Sequence, residues 1–287
     1  MRALLTDPCV SEFGWELMSW QGWLRAKAKD YDAVVVCSTR ELLPIYVDFA
    51  SMFIPHDIRG LRDCFHLRKV DNAPEWRRVL DELLGLKLRL TEQGYRVDIV
   101  KHSRSIPISE QCFIRYGNAQ AARDRREVCD VLVHARHKQS RDPYYSVYNW
   151  SQEKWDEFCL GLLCQGVTVG AVGLKSEALH PRQTIDMRSI QLSNLMDAMA
   201  AARLVVGPSS GPLHLASLCG AEHVVWTGKK YSTTIQGTNR DRYECKWNPL
   251  NTKCHVYDSD PNPSVKEMLS SVFGLLKGKD CGDVKTA

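Results

Sequence analysis

Leu204-Val205-Val206-Gly207-Pro208-Ser209-Ser210-Gly211-Pro212-Leu213-His214-Leu215-Ala216 runs from an apolar, β-branched segment through a small turn into a helix-forming segment. The spacing predicts a buried strand over 203–206 and a helix over 212–218. Pro212 suits the first helical turn, where a missing N–H costs nothing. Ser209 or Ser210 can cap the helix, and Gly207 and Gly211 permit close backbone approach. The exposed amides and the positive end of the helix dipole then form a site for a diphosphate. Both serine hydroxyls can donate to phosphate oxygens, and His214 can donate from the first turn. An ordinary, well-capped crossover needs the same residues, so the stretch alone leaves both readings open.

Outward from it, the chain alternates strand and helix. Strands are expected at 2–6, 32–37, 129–134, 166–173 and 223–226, with further candidates at 67–70, 95–100 and 112–116. A helix over 14–29 carries Leu17, Trp20 and Leu24 on one face, which assigns Trp20 to the core and leaves Trp15 open. Another, over 74–94, has proline at its start and glycine at its end. Ser151 opens a third with a partial capping box, since Lys154 stands where Glu is usual. Ser193 reads as the cap of a helix to 202, and 263–276 as a closing helix. The segment 39–53 reads as a helix broken by Pro44. Strands alternating with helices imply parallel sheets with crossover helices. The same opening at residue 2 and near 131 predicts an α/β protein of two Rossmann-like doubly wound parallel-sheet lobes. Ligands bind such lobes at the carboxyl ends of their strands, here in a cleft between them. The charge-dense stretch 118–127 sets the expected boundary, giving domains 1–125 and 126–287.

Composition narrows the class. A chain of 287 residues, 44% hydrophobic and 25% charged, is ordinary for two globular domains. No apolar run approaches the ~18 residues of a membrane helix, and residues 1–7 read as a first strand, not a signal peptide. The 11 cysteines form no Cys-x-x-Cys pair. Cys37, Cys159, Cys164 and Cys219 lie in apolar runs, where a thiol acts as a small hydrophobe. A disulfide framework or zinc site is not expected, and the cytoplasm is the expected compartment. The net charge of +4 suits an anionic ligand without marking a nucleic-acid binder. Two basic segments follow strands and can meet phosphate: Arg136 and Lys138 after 129–134, and Lys229 after 223–226. Arg240, Arg242 and Tyr243 lie just beyond. Arg136 and Lys138 read equally as a solvated loop, and for each of the later residues surface solvation is the preferred reading.

Gly-Pro-Ser-Ser-Gly-Pro-Leu-His-Leu-Ala-Ser-Leu-Cys-Gly over 207–220, followed by an apolar strand and Gly228, resembles the C-terminal signature of the bacterial heptosyltransferases, glycosyltransferase family 9. Asp186-Met187-Arg188, Leu192-Ser193-Asn194-Leu195 and Ala200-Ala201-Ala202-Arg203 extend the similarity upstream, so that it covers about the second half of the chain. The resemblance implies a GT-B-type enzyme whose C-terminal lobe holds a nucleotide-diphosphate sugar through Ser209, Ser210, Gly211, Pro212 and His214. Ser209 stands where the family often has Asp. The resemblance also places a catalytic carboxylate after the first strand, in Asp7-Pro8-Cys9-Val10-Ser11-Glu12-Phe13-Gly14-Trp15-Glu16-Leu17. Glu12, in the loop proper, is the first candidate base. Glu16 corresponds as well, although a Glu there also complements a helix dipole, and Asp7 stays open.

The expected reaction is metal-independent, inverting sugar transfer to a hydroxyl acceptor, with no cofactor. No Asp-x-Asp motif appears where a metal-dependent transferase would hold its ion, so helix amides and basic side chains must neutralise the leaving diphosphate. A surface saccharide is the expected acceptor. The basic clusters Lys101-His102-Ser103-Arg104 and Arg123-Asp124-Arg125-Arg126 also admit a hydroxylated base in DNA. The same residues are compatible with a nucleotide-sugar epimerase or hydrolase, and with a non-catalytic nucleotide-sugar binding module.

Overall fold

Parallel pairing of short apolar strands organises the chain into two units, Met1–Ile114 and Arg115–Ala287. A computed structural model describes residues 1–58, 73–102, 106–137, 146–228 and 238–280. The first unit holds a four-stranded sheet of β1 (Arg2–Thr6), β2 (Ala33–Thr39), β3 (Met52–His56) and β4 (Arg96–Val100), in the order β3-β2-β1-β4. Every pair is parallel. Ala3, Leu5, Val35 and Cys37 share one core with Val79, Leu83 and Leu86 of the long helix Ala73–Glu92. The intervening Leu4, Val34 and Val36 are buried too, as strands covered on both faces require.

The helix after β1 begins as α1 (Phe13–Trp15), widens into a π-helical turn over Glu16–Trp20 and continues as α2 (Gln21–Ala28). Leu17, Trp20 and Leu24 are fully buried, as their spacing predicts. The expected helix over 39–53 is instead a 3-10 turn, Arg40–Ile45, followed by β3. Pro55 conceals that strand in the sequence, because proline is tolerated only at an edge, and β3 is the edge. Residues 112–116 form no strand. The Cys112 amide donates to Gly22 O at 2.8 Å and that of Tyr116 to Leu218 O at 2.9 Å, so no ladder is left to build. The strand expected at 67–70 lies outside the described residues.

The second unit holds a six-stranded parallel sheet: β5 (Val131–Val133), β6 (Val169–Ala171), β7 (Ile185–Asp186), β8 (Leu204–Pro208), β9 (His223–Trp226) and β10 (Cys254–Tyr257), in the order β10-β9-β8-β5-β6-β7. β7 and β10 are too short and too mixed for periodicity to show. Trp226 of β9 stacks on Trp150 at 4.7 Å between ring centroids and packs on Trp155 at 5.5 Å. These rings join Phe158 and the closing helix Val265–Asp280 in one core. Ser151 caps the helix Gln152–Leu163, accepting from the Lys154 amide at 3.3 Å. The helix Leu192–Ala201 is preceded by Gln191, so it starts ahead of Ser193. Cys37, Cys159 and Cys219 are buried, whereas Cys164, just past its helix, is exposed.

The break between units falls at 114/115, ahead of the charge-dense stretch that set it at 125/126. The reason is local. Asn118 caps the helix Ala119–Asp124, and its own amide donates to Asp197 at 2.6 Å. Arg125 pairs with Asp197 at 2.9 Å. A Cβ on Gly117 would lie 2.2 Å from Met196 O, so the chain there runs directly against the second unit's helix. Polarity marked a helix face, not a linker.

Candidate functional site

In each sheet the chain leaves the first strand in one direction and later returns to its other side. That switch lies between β1 and β4 in the first unit and between β5 and β8 in the second. Loops at the carboxyl ends of such neighbouring strands diverge and leave room for a ligand. In the second unit the pair consists of His134–Arg136 after β5 and Ser209–Gly211 after β8.

Ser210 is the N-cap of the helix Gly211–Cys219, but its hydroxyl makes no cap bond. It donates to Pro208 O at 2.9 Å and lies 2.8 Å from His134 Nδ1. The hydroxyl has one proton, so His134 donates from Nδ1 and carries its lone pair on Nε2. Burial, reinforced by Arg136, pushes the His134 pKa down to about 3, and the ring is neutral. Gly207 makes this approach possible: a Cβ there would meet the His134 carbonyl oxygen at 3.1 Å. Of the two serines expected to offer hydroxyls to a ligand, Ser210 has its hydroxyl engaged within the protein. Ser210 is occupied, while the half-buried Ser209 accepts from Tyr243 Oη at 3.0 Å. Its own O–H has no acceptor among the described residues.

The amides sort in the same way. Leu213 and His214 donate to Ser210 O at 3.0 and 3.1 Å, and Ser209 donates to Trp226 O at 3.0 Å. Pro212, in the first turn as expected, has no N–H. Gly211 keeps a backbone N–H with no acceptor among the described residues, at the positive end of the helix dipole. His214 is buried, its ring 5.5 Å from Tyr243 and 5.0 Å from Trp247 between centroids. Burial lowers its pKa to about 3, so it brings no charge to an anion. Arg136 is also buried, donating to Asn149 Oδ1 at 3.1 Å, and is not the solvated loop cation its neighbours suggested. Lys138 and Lys229 lie outside the described residues. The buried packing of Tyr243 and Trp247 leaves no local signal in the sequence, because the short helix Asn239–Cys245 reads as a polar loop.

In the first unit, the loop after β1 brings the candidate carboxylates to the β1/β4 switch point. Glu12 is the half-buried N-cap of α1, with its carbonyl accepting from the Trp15 and Glu16 amides, each at 3.0 Å. Glu16 is one residue into the π-helical turn and almost wholly buried, so it is not an exposed residue complementing a dipole. Its Oε1 accepts from the Ser38 and Tyr46 hydroxyls. Desolvation raises its pKa to about 7 against the opposing pull of Ser38, Tyr46 and Cys9. Asp7 accepts from the His102 amide at 3.0 Å, and burial raises its pKa too. Trp20 is core, with Trp23 stacked on it at 5.4 Å, and Trp15 is half-buried.

Charges elsewhere are largely paired. Arg125 binds Glu127 at 2.7 Å as well as Asp197, which removes it from the basic cluster expected at 123–126. Ser103 and Arg104 lie outside the described residues. Asp-x-Asp does occur twice, at Asp30-Tyr31-Asp32 and Asp258-Ser259-Asp260. Asp32 accepts from the Arg2 amide at 2.6 Å, and Asp258 pairs with Arg240 at 2.8 Å. No group of three metal-ligating side chains occurs among the described residues, nor is any helix among them long and apolar enough to cross a membrane.

Two parallel, doubly wound sheets with ligand-type turns at their switch points define the fold of GT-B glycosyltransferases. Solved structures bear this out along the whole chain. The ADP-heptose LPS heptosyltransferase II of E. coli superposes with a TM-score of 0.61 at 14% identity, covering 98% of this chain and 100% of that one. A family 9 glycosyl transferase from Veillonella parvula DSM 2008 gives 0.56 at 12% identity, covering 96% and 97%. At these identities the likeness is one of fold. No protein-family model and no curated protein matches the sequence.

Proposed function

We propose that this chain is an inverting, metal-independent glycosyltransferase that moves a sugar from a nucleotide diphosphate to an acceptor hydroxyl. The observation that carries the reading is the turn at Ser209–Gly211. It pairs a serine O–H and a backbone N–H, neither with an acceptor among the described residues, at the mouth of a helix. The turn lies at the switch point of a sheet whose fold is that of nucleotide-sugar transferases. Those donors, with Arg136 in the loop after the neighbouring strand β5 and Lys138 and Lys229 by their place in the sequence, would receive the diphosphate. Pro212 shapes the helix start, and Ser210 and His214 support it. In the reaction the acceptor oxygen bonds to the anomeric carbon from the face opposite the leaving group. The bond to the diphosphate oxygen breaks with its electron pair, and a carboxylate takes the acceptor proton.

Glu12 and Glu16 are the candidates for that carboxylate. Glu12 is the more accessible. Glu16 has a pKa of about 7, matched to exchange of a proton near neutrality. The acceptor is proposed as a saccharide and the compartment as the cytoplasm, with no cofactor beyond the sugar nucleotide. ADP-linked sugars head the donor candidates, since one structural neighbour is an ADP-heptose enzyme.

Thermal-shift screening against ADP-, UDP- and GDP-sugars tests the reading, because ligand binding raises apparent stability by mass action. A rise with one nucleotide class, and release of its diphosphate only when acceptor is added, is expected. Free sugar or an isomer from donor alone would mark a hydrolase or epimerase. Turnover indifferent to both carboxylates would mark a binding module. DNA affinity falling steeply with salt would favour a nucleic-acid acceptor. No shift with any sugar nucleotide overturns the proposal.

A further inference from the structure

Ser209 and Ser210 are adjacent and chemically identical, yet separate buried partners set them to different tasks. Tyr243 is fully buried, and its ring packs edge-on against Trp247 at 5.2 Å and beside His214 at 5.5 Å. Its Oη donates to Ser209 Oγ at 3.0 Å. Ser209 in turn is pinned through its backbone, its amide donating to Trp226 O at 3.0 Å. The serine oxygen thus receives one hydrogen bond from the protein, and its own proton has no acceptor among the described residues. A chain of donors runs from the buried phenol to the Ser209 hydroxyl and ends there. Each link polarises the next, so the last hydroxyl is a better donor than an isolated serine.

We infer that Tyr243 is a positioning residue for the ligand's phosphate, fixing the Ser209 hydroxyl as an outward-facing hydrogen-bond donor. Ser210, held by Pro208 and His134, keeps the turn in shape and does not meet the ligand. The assignment also sorts ligand chemistry. A serine whose lone pair is engaged by a phenol is set to donate, so it favours an anionic oxygen over a sugar hydroxyl offering a proton. This inference rests on the nucleotide-sugar reading above and goes beyond it in naming the residue that orients the contact.

A double-mutant cycle on the full chain tests it, with affinity for ADP, UDP and GDP measured by calorimetry. Tyr243→Phe keeps the ring packing and removes one hydroxyl. It is expected to weaken binding of the preferred diphosphate about three- to tenfold in the Ser209 background, the scale of one charge-assisted hydrogen bond. In the Ser209→Ala background the same change is expected to cost less than about twofold, because Tyr243 then has nothing to orient. An equal loss in both backgrounds would reveal a packing role and overturn the inference, as would no loss in either. Replacing Tyr243 with 3-fluorotyrosine, which preserves the fold and strengthens the phenol as a donor, is expected to tighten binding. Unchanged or weaker binding there overturns the inference even if Tyr243→Phe fails to fold. Failure of the unmodified protein to bind any of the three diphosphates removes the underlying functional reading, a result distinct from the others.

Discussion

The turn after β1 and the turn after β8 occupy equivalent places, each leaving the carboxyl end of a central parallel strand beside a switch point, yet they carry opposite chemistry. The first presents carboxylates, Glu12 and Glu16. The second presents a hydroxyl and an amide, Ser209 and Gly211, over two neutral imidazoles. One turn is suited to taking up a proton and the other to receiving negative charge. The difference arises in what lies beneath each turn. Burial in a dry site holds the Glu16 proton until near neutrality, against the Ser38, Tyr46 and Cys9 donors that favour its carboxylate. Tyr243 and His134 occupy the second turn's inner positions and leave only outward donors. On the proposed reading, the buried layer beneath two similar turns decides which one serves acid–base chemistry and which one binds an anion.

The comparison breaks most decisively at the carboxylates. Glu12→Gln and Glu16→Gln, made separately, are expected to divide the roles: the base loses about 10²–10⁴-fold in kcat, with nucleoside-diphosphate affinity unchanged in calorimetry. If the base is Glu16, the acid limb of the kcat profile falls near pH 7 and is absent in its Gln variant. Loss of diphosphate binding in either variant would erase the distinction between the turns.

Stability should report the same burial. Between the ordinary value of 4.5 and about 7, folded Glu16 keeps a proton that the unfolded chain has released. Raising the pH across that window therefore favours unfolding, by about 3–3.5 kcal/mol in all. Denaturant titrations at pH 5 and pH 8 are expected to show this drop as the difference between the unmodified protein and Glu16→Gln, because the buried histidines act in the opposite direction over the lower part of that range and do so equally in both proteins. No corresponding fall belongs to His134 or His214. Their lowered pKa values of about 3 make the fold lose stability only as pH drops below the ordinary histidine value of 6.5.

The second turn gives smaller effects. Ser209→Ala is expected to weaken diphosphate binding about tenfold with little change in melting temperature, since it removes a donor aimed at the ligand. Ser210→Ala should do the reverse: diphosphate affinity changes by less than about threefold, and chemical denaturation shows a loss of roughly 1–2 kcal/mol. The reason is the buried His134 N–H, left without its acceptor. Should the two serines exchange these phenotypes, the sorting by Tyr243 and His134 is wrong.

The sequence by itself determined the alternation of strand and helix, the two parallel sheets, and the strand–turn–helix at 204–216. These rest on local periodicity and on turn residues, whose effects reach only a few positions along the chain. It also indicated both turns as the places to look. Tertiary structure alone decided what each side chain there can do. Ser209 meets a partner 34 residues away and Ser210 one 76 residues away, while Glu16 takes its donors from 22 and 30 residues on. The edge position that admits Pro55 into β3 is likewise visible only once the sheet is assembled. Desolvation and hydrogen-bond direction depend on which groups the fold brings within about 3 Å, and no local pattern encodes that.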